Sequence, residues 1–163
     1  MINSNDKGAM AEMHIAALAA DLGIRVSKPL WDGGRYDLIF DMRPDLLRVQ
    51  CKWAVRSGDV VRVWLRSSRH TPSGYVTATY SEHEVDAVAA WCAALARCYL
   101  IPVALLAGQC GIHLRLAPAR NNQRSGIHSA AQYELGAIAQ LGERHAGSVE
   151  AVGSSPTSST ITS

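Results

Sequence analysis

Residues 36–53 run YDLIFDMRPDLLRVQCKW, and the alternation within that stretch decides the architecture. Tyr36 to Asp41 is expected to be a strand with Tyr36, Leu38 and Phe40 on one face. Leu46 to Trp53 is expected to be a second, with Leu47, Val49 and Cys51 opposing Arg48, Gln50 and Lys52, because successive side chains of an extended chain point to opposite sides. Arg43-Pro44-Asp45 makes a tight connection between them. Pairing 36–41 with 47–53 brings Asp37 close to the face that carries Gln50 and Lys52. Val60 to Leu65, after the Ser57-Gly58-Asp59 turn, is a third strand, and three strands at such short spacing suggest an antiparallel meander.

On the N-terminal side, residues 7–22 (KGAMAEMHIAALAADL) have the apolar stripe of a helix, with Gly23 suited to its C′ position. Ile24 to Pro29 extends briefly before a turn at Asp32-Gly33-Gly34. On the C-terminal side, Tyr75 to Tyr80 is a short strand or an irregular connection. Ser81-Glu82-His83-Glu84 is a capping box. It is expected to open a helix to about Ala96 that buries Val85, Val88, Ala89, Cys92 and Leu95. Cys98 to Leu106 is a continuous apolar run, as in a strand covered on both faces. Ile112 to Leu116 is an edge strand, and residues 127–135 form one more helix. The expected class is α/β (α+β), a mixed central sheet flanked by helices in the order αβββαβ.

A chain of 163 residues with 48% hydrophobic residues suits one compact domain and argues against wholesale disorder. No apolar run approaches the roughly 20 residues that span a bilayer, and MINSNDKG lacks the apolar stretch of a signal peptide. The expectation is a cytoplasmic protein with no membrane partner. Cys51, Cys92, Cys98 and Cys110 form no CxxC pair, and the histidines form no HExxH, so zinc and disulfide frameworks are disfavoured. Charge is unevenly spread. Residues 1–42 carry four basic and six acidic side chains. Residues 43–70 carry Arg43, Arg48, Lys52, Arg56, Arg62, Arg66 and Arg69 against Asp45 and Asp59. Such a run is commonly a solvated face, but here it surrounds a candidate site, as a phosphate-facing surface would.

That site is Asp37, Gln50 and Lys52, joined by Glu12 from the first helix, where small neighbours would let a carboxylate project toward the sheet. Two carboxylates, a neutral oxygen donor and an ammonium suit a hard divalent cation that polarises a phosphate. The same pattern, D-x12-Q-x-K, also fits an alternating strand with a salt-bridged lysine.

The ordered segments KGAMAE (7–12), GIRVSKP (23–29), GRYDLIFD (34–41), RVQCKWA (48–54), EVDAVAAW (84–91), RCYLIPV (97–103) and APARNNQ (117–123) together resemble the PD-(D/E)XK endonucleases associated with group I introns. The resemblance implies a restriction-endonuclease-like core, Mg²⁺ or Mn²⁺ as cofactor and double-stranded DNA as substrate. It implies catalytic roles for Glu12, Asp37, Gln50 and Lys52, with Asp37, Glu12 and the carbonyl of Cys51 as metal ligands. Gln50 departs from the acid of the general signature, although some intron-encoded members are similar in using glutamine. Lys7 and Arg35 would touch phosphates, and Arg56, Arg62, Arg66 and Arg69 would reach a groove. Tyr80, Glu84 and Asp86 also recur in the family pattern, where capping and packing explain them.

The function so implied is a site-specific, homing-type endonuclease acting as a homo-oligomer, dimer or tetramer, since one small chain holds one site. A Holliday junction resolvase is the first alternative, although resolvases usually keep an acid where Gln50 stands. A catalytically degenerate DNA-binding module is the second. The nuclease domain is expected over 1–136. Residues 137–163 are expected to be poorly ordered, and 137–160 (AIAQLGERHAGSVEAVGSSPTSST) look like a translated tRNA gene, the alternative being an accidental Ser/Gly tail.

Overall fold

The computed structural model describes residues 2–31, 33–118 and 126–150, with the side chains of 67–71, 75–77 and 143–150 outside that description. Helix α1 (Ser4–Asp21) starts at Asn3, whose side chain accepts from the Asp6 N–H at 2.8 Å, and ends before Gly23, at φ 80°. The short strand β1 (Arg25–Ser27) follows. The expected meander is present as β2 (Leu38–Met42), β3 (Asp45–Ser57) and β4 (Val60–Trp64), antiparallel throughout. β5 (Ser67–Thr71) and β6 (Gly74–Ala78) form a separate hairpin.

The helix expected from Ser81 to Ala96 is a correction. The capping box is real, with the Ser81 hydroxyl donating to the Glu84 carboxylate at 3.1 Å, but it closes only a turn. The chain then enters β7 (Ala87–Cys92), in which all six residues are buried. Val88, Ala90 and Cys92 enter one core cluster, and Ala87, Ala89 and Trp91 enter the other. A strand between two cores loses the polar alternation that distinguishes it from a helix, so AVAAWC carries no readable period. A four-residue turn, with Ala96 at φ 50°, leads into β8 (Arg97–Pro102). The apolar run that suggested one strand to Leu106 ends instead in a 3₁₀ turn, Val103–Leu106.

β9 (Gly111–Arg115) pairs with β4 on one side and with β10 (His128–Ser129) on the other, so it is not an edge. The helix expected over 127–135 is the two-residue β10, the single turn α2 (Ala130–Tyr133) and the start of α3 (Leu135–Glu150). Of the segment expected to be poorly ordered, 137–150 is helical, with Ala139 buried; 151–163 and most of the APARNNQ segment (119–123) lie outside the described residues. Among the described residues no helix is long and apolar enough to cross a membrane.

β3 organises the sheet. One edge pairs in parallel with β7 over residues 49–54, and β8 continues the sheet beyond β7. The other edge is shared: β2 pairs with residues 45–49 and β4 with residues 54–57. α1 lays Ala11, Ile15 and Ala19 on the sheet, where Ala87 and Ala89 share their cluster; small residues on both sides let helix and sheet approach closely. α3 adds Leu135 and Ala139 to this face. The opposite core gathers Val61, Val63, Ile112 and Leu114 from the β4–β9 arm with Tyr80, Val85 and Leu106. The fold is thus the expected mixed sheet flanked by helices, with β7 in place of the second helix.

The start of the β3–β7 pair is clamped by Arg48 and Asp86. The Asp86 carboxylate accepts from the Arg48 N–H at 2.7 Å and from Nε and Nη2 at 3.0 and 2.8 Å, while the Arg48 guanidinium also donates to the His83 and Glu82 carbonyls. The arginine, first through its side-chain hydrogen bonds, holds the Asp86 carboxyl below its ordinary range. A carboxyl lowered on folding stabilises the protein above its unfolded pKa and loses that contribution as pH falls through the folded one. Stability measured by urea unfolding is therefore expected to decline below about pH 4. Asp86→Asn should lower it by about 2 kcal/mol at neutral pH and flatten the acid limb. An unchanged acid limb in the variant would remove Asp86 from the account.

Candidate active site

The shared edge of β3 leaves a gap, because β2 pairs up to Val49 and β4 begins opposite Ala54. The N–H and C=O of one residue point to the same edge of a strand, and alternate residues share an edge. Val49 faces the β2 side, accepting from the Asp37 N–H at 2.9 Å, so both polar groups of Cys51 project into the gap. Its N–H donates to the Asp37 carboxylate at 2.8 Å. Among the described residues its carbonyl receives a long contact from the Gln50 amide, at 3.4 Å, which leaves it room for a further partner.

Around the gap lies a cavity of about 360 Å³ lined by Ser4, Lys7, Gly8, Glu12, Asp37, Gln50, Cys51, Lys52 and Trp53. Glu12, Asp37, Gln50, Lys52 and the Cys51 main chain, proposed from sequence, are thus brought together, with Lys7 beside them. Asp37 comes from the segment entering β2. Gln50 and Lys52 come from β3, and Glu12 sits next to Ala11 at the margin of the buried stripe of α1. Gln50 donates its amide Nε2 to Asp37 Oδ2, which a glutamate could not do as a carboxylate.

Burial pushes the Asp37 carboxyl above its ordinary range and the Glu12 charge pushes it the same way, against the lowering effects of the Cys51 N–H, Lys52 and Lys28. The Cys51 thiol is pushed up as well, first by burial and then by Asp37, and its side chain packs in the core beneath α1. Two carboxylates confined near each other, with an amide and an open carbonyl, form an oxygen-donor set that a hard divalent cation fits. The described residues contain no cluster of three or more His, Cys, Asp and Glu that could hold a metal. The oxygen donors that line the cavity are those of a hard divalent cation whose coordination is completed by water.

Two residues escaped the sequence reading or were undervalued by it. Lys28 forms an ion pair with Glu12 and lines an adjoining cavity with Glu12 and Asp37; a lysine in a loop, 16 residues from its partner, left no local signal. Tyr80 is 4% exposed and carries two cations at its ring, Lys52 Nζ at 5.2 Å and Arg35 at 5.0 Å from the centroid. Its signal in the sequence is its place in the family pattern.

The expected DNA-contacting residues separate. Arg35 is bound to Glu84 at 2.8 Å and to the Thr79 carbonyl at 2.9 Å, which makes it a brace behind Lys52. Arg56 turns its Nε to the Gly58 carbonyl at 3.0 Å. Arg62 and Arg66 are exposed, and the Arg69 side chain lies outside the described residues.

Comparison with known proteins bears on the fold and the family. A solved structure, described as that of a bacterial homing endonuclease, I-Ssp6803I, matches with a TM-score of 0.66 at 27% identity, over 89% of this chain and 97% of that one. No curated protein matches. A family profile described as PD-(D/E)XK endonuclease matches residues 2–136, which span both arms of the β3 gap and every residue lining the cavity. The chain belongs to the PD-(D/E)XK endonuclease family.

Proposed function

We propose that the protein is a site-specific, homing-type endonuclease that hydrolyses phosphodiester bonds of double-stranded DNA with Mg²⁺, for which Mn²⁺ can substitute. The observation that carries the reading is the convergence of Glu12, Asp37, Gln50, the Cys51 carbonyl and Lys52 on one open cavity at the β3 gap. The homing endonuclease of similar structure supports it.

Asp37, Glu12 and the Cys51 carbonyl are the proposed metal ligands. A divalent ion held there would polarise the phosphate and make a bound water a stronger nucleophile. The remaining roles belong to side chains. The Lys52 ammonium, steadied over the Tyr80 ring, stabilises the negative charge that builds on the phosphoryl oxygens. Gln50, by donating to Asp37, fixes the orientation of that carboxylate and adds no third negative charge. Lys7 on α1 and the exposed Arg56, Arg62 and Arg66 supply phosphate and groove contacts, with Arg69 on β5 as a further candidate. One site per chain cuts one strand, so cutting both calls for a dimer or tetramer. The nuclease domain is assigned to 1–136. Residues 137–163 are assigned to a tail that resembles a translated tRNA gene, and within it Ala139 packs into the cluster beneath α1.

Asp37→Ala and Lys52→Ala are each expected to lower plasmid or duplex cleavage by at least about a hundredfold while leaving duplex binding in place. Retention of cleavage by either would sink the assignment. Preferential cutting of four-way junctions over linear duplex would point to a resolvase. Binding without cutting under Mg²⁺ or Mn²⁺ would leave a DNA-binding module.

Gln50→Glu separates buttressing from ligation. It removes the donor to Asp37 and adds a like charge beside it, so the thermal midpoint in a chelator is expected to fall by several degrees. Millimolar Mg²⁺ should then raise it by more than in the wild type, because a third carboxylate strengthens the site. An unchanged midpoint in the chelator would show that Gln50 does not support Asp37.

A further inference from the structure

α1 packs on β1, β3 and β7, with His14 stacked on Trp91 at 4.6 Å between ring centroids, and it leaves the β3–β4–β9 arm uncovered on that side. The register fixes what the uncovered face displays. Ala54 opposes Val63, and Val63 opposes Ile112; these three are buried in the core behind. The alternate residues face the other way. Val55 lies opposite Arg62, and Arg62 opposite His113, with Trp64 and Arg115 next along their strands.

Val55 is 48% and Trp64 63% exposed. Gly111 stands opposite Trp64, where a Cβ would come within 3.0 Å of the Val63 carbonyl oxygen and 3.7 Å of the Trp64 indole. Among the described residues, those that the register places on this face, Val55, Arg62, Trp64, His113 and Arg115, include no carboxylate. Arg35, Arg43, Arg48 and Arg97 all pair with acids, whereas Arg62 and Arg115 make no ion pair among the described residues. The face is also continuous with the site, because Trp53, two residues before Val55, lines the catalytic cavity.

We infer that this face is a docking platform for double-stranded DNA that carries the duplex onward from the cavity, an inference that rests on the nuclease reading above. An exposed apolar patch marks an interaction surface, and two unpaired guanidiniums beside it specify an anionic partner. A duplex presents about one negative charge per 1.7 Å of axis. A second copy of the chain, docked through this face on a two-fold axis, would set the same arginines against each other. Arg62 and Arg115 therefore hold backbone phosphates, while Trp64 and Val55 lie against the sugars between them. This gives Trp64, Val55, His113 and Arg115 contacts that the family signature does not include.

The test measures binding of a fluorescent mixed-sequence duplex of roughly 30 base pairs as a function of salt, since contacts to phosphate need no target sequence. Ca²⁺ replaces Mg²⁺ to suppress cutting. The double variant Arg62→Ala/Arg115→Ala is expected to reduce the slope of log K against log salt by about two, or about 0.9 per lost phosphate contact. Arg62→Lys/Arg115→Lys should restore most of the slope, which guards against a folding defect. Trp64→Ala is expected to weaken binding severalfold with the slope unchanged. A wild-type slope in the double alanine variant overturns the proposal, as does a Trp64→Ala variant that changes only the sedimenting mass, which would make the face a subunit contact. Absence of cleavage by the wild type under Mg²⁺ or Mn²⁺ would instead sink the nuclease reading while leaving the salt slope free to decide this one.

Discussion

β3 lends one edge to two strands, and the residues between their pairings decide the rest of the molecule. β2 lets go after Val49 and β4 takes hold at Ala54, while β7 runs unbroken along the other edge. A main-chain N–H in such a gap is costly unless a partner reaches it. Asp37 is that partner for Cys51. The bond that satisfies the strand thus also places a carboxylate in the opening, and the Cys51 carbonyl, pointing the same way, is left available. An oxygen-rich site follows from the way the sheet divides.

The electrostatics follow from the same gap. Asp37 is held where burial and the neighbouring Glu12 both oppose its charge, and the other groups moderate that opposition. The Gln50 amide and Cys51 N–H donate to Asp37, Lys28 pairs with Glu12, and Lys52 stays close enough to be felt. An acid at position 50 would add a third repelling charge to a half-buried cavity. A glutamine gives up ligand strength and supplies a donor. The departure from the general signature at this position is thus coherent with the rest of the site. Lys52 in turn depends on the far side of the sheet, where Arg35, braced by Glu84, shares the Tyr80 ring with it.

How far the sequence discloses this depends on what covers each strand. β2, β3 and β4 were legible, since each has one buried and one less buried face along much of its length, and polarity then alternates with the pleat. The gathering of Asp37, Gln50 and Lys52 could be anticipated from that hairpin, and Glu12 from the family pattern. β7 was not legible, because both of its faces enter cores and a real capping box stood in front of it. The box stops at one turn because the next residues are more strongly held in the sheet, where Asp86 and Arg48 lock the parallel pair in register. Tertiary contact overrode a local signal. Lys28 and Tyr80 were hidden for another reason: each acts through a partner far away in sequence, and no local pattern encodes such a meeting.

The same contrast applies to the arginines, which sequence alone could treat only as one basic run. The structure divides them. Arg48 and Arg43 bind Asp86 and Asp41, and each such pair reduces the positive field that a ligand meets. Arg62, two residues before Trp64 on β4, makes no such pair among the described residues. Alternation along β4 sends Val61 and Val63 inward and so leaves Arg62 and Trp64 no choice but the outer face. The extension of β3 past the gap, which supports the β4–β9 arm, thus has a second consequence beside the opening around Asp37. It continues the wall of the cavity as a cationic, partly aromatic surface on the side that α1 leaves open, along which a duplex reaching Asp37 would meet Arg62 and Arg115 beside Trp64.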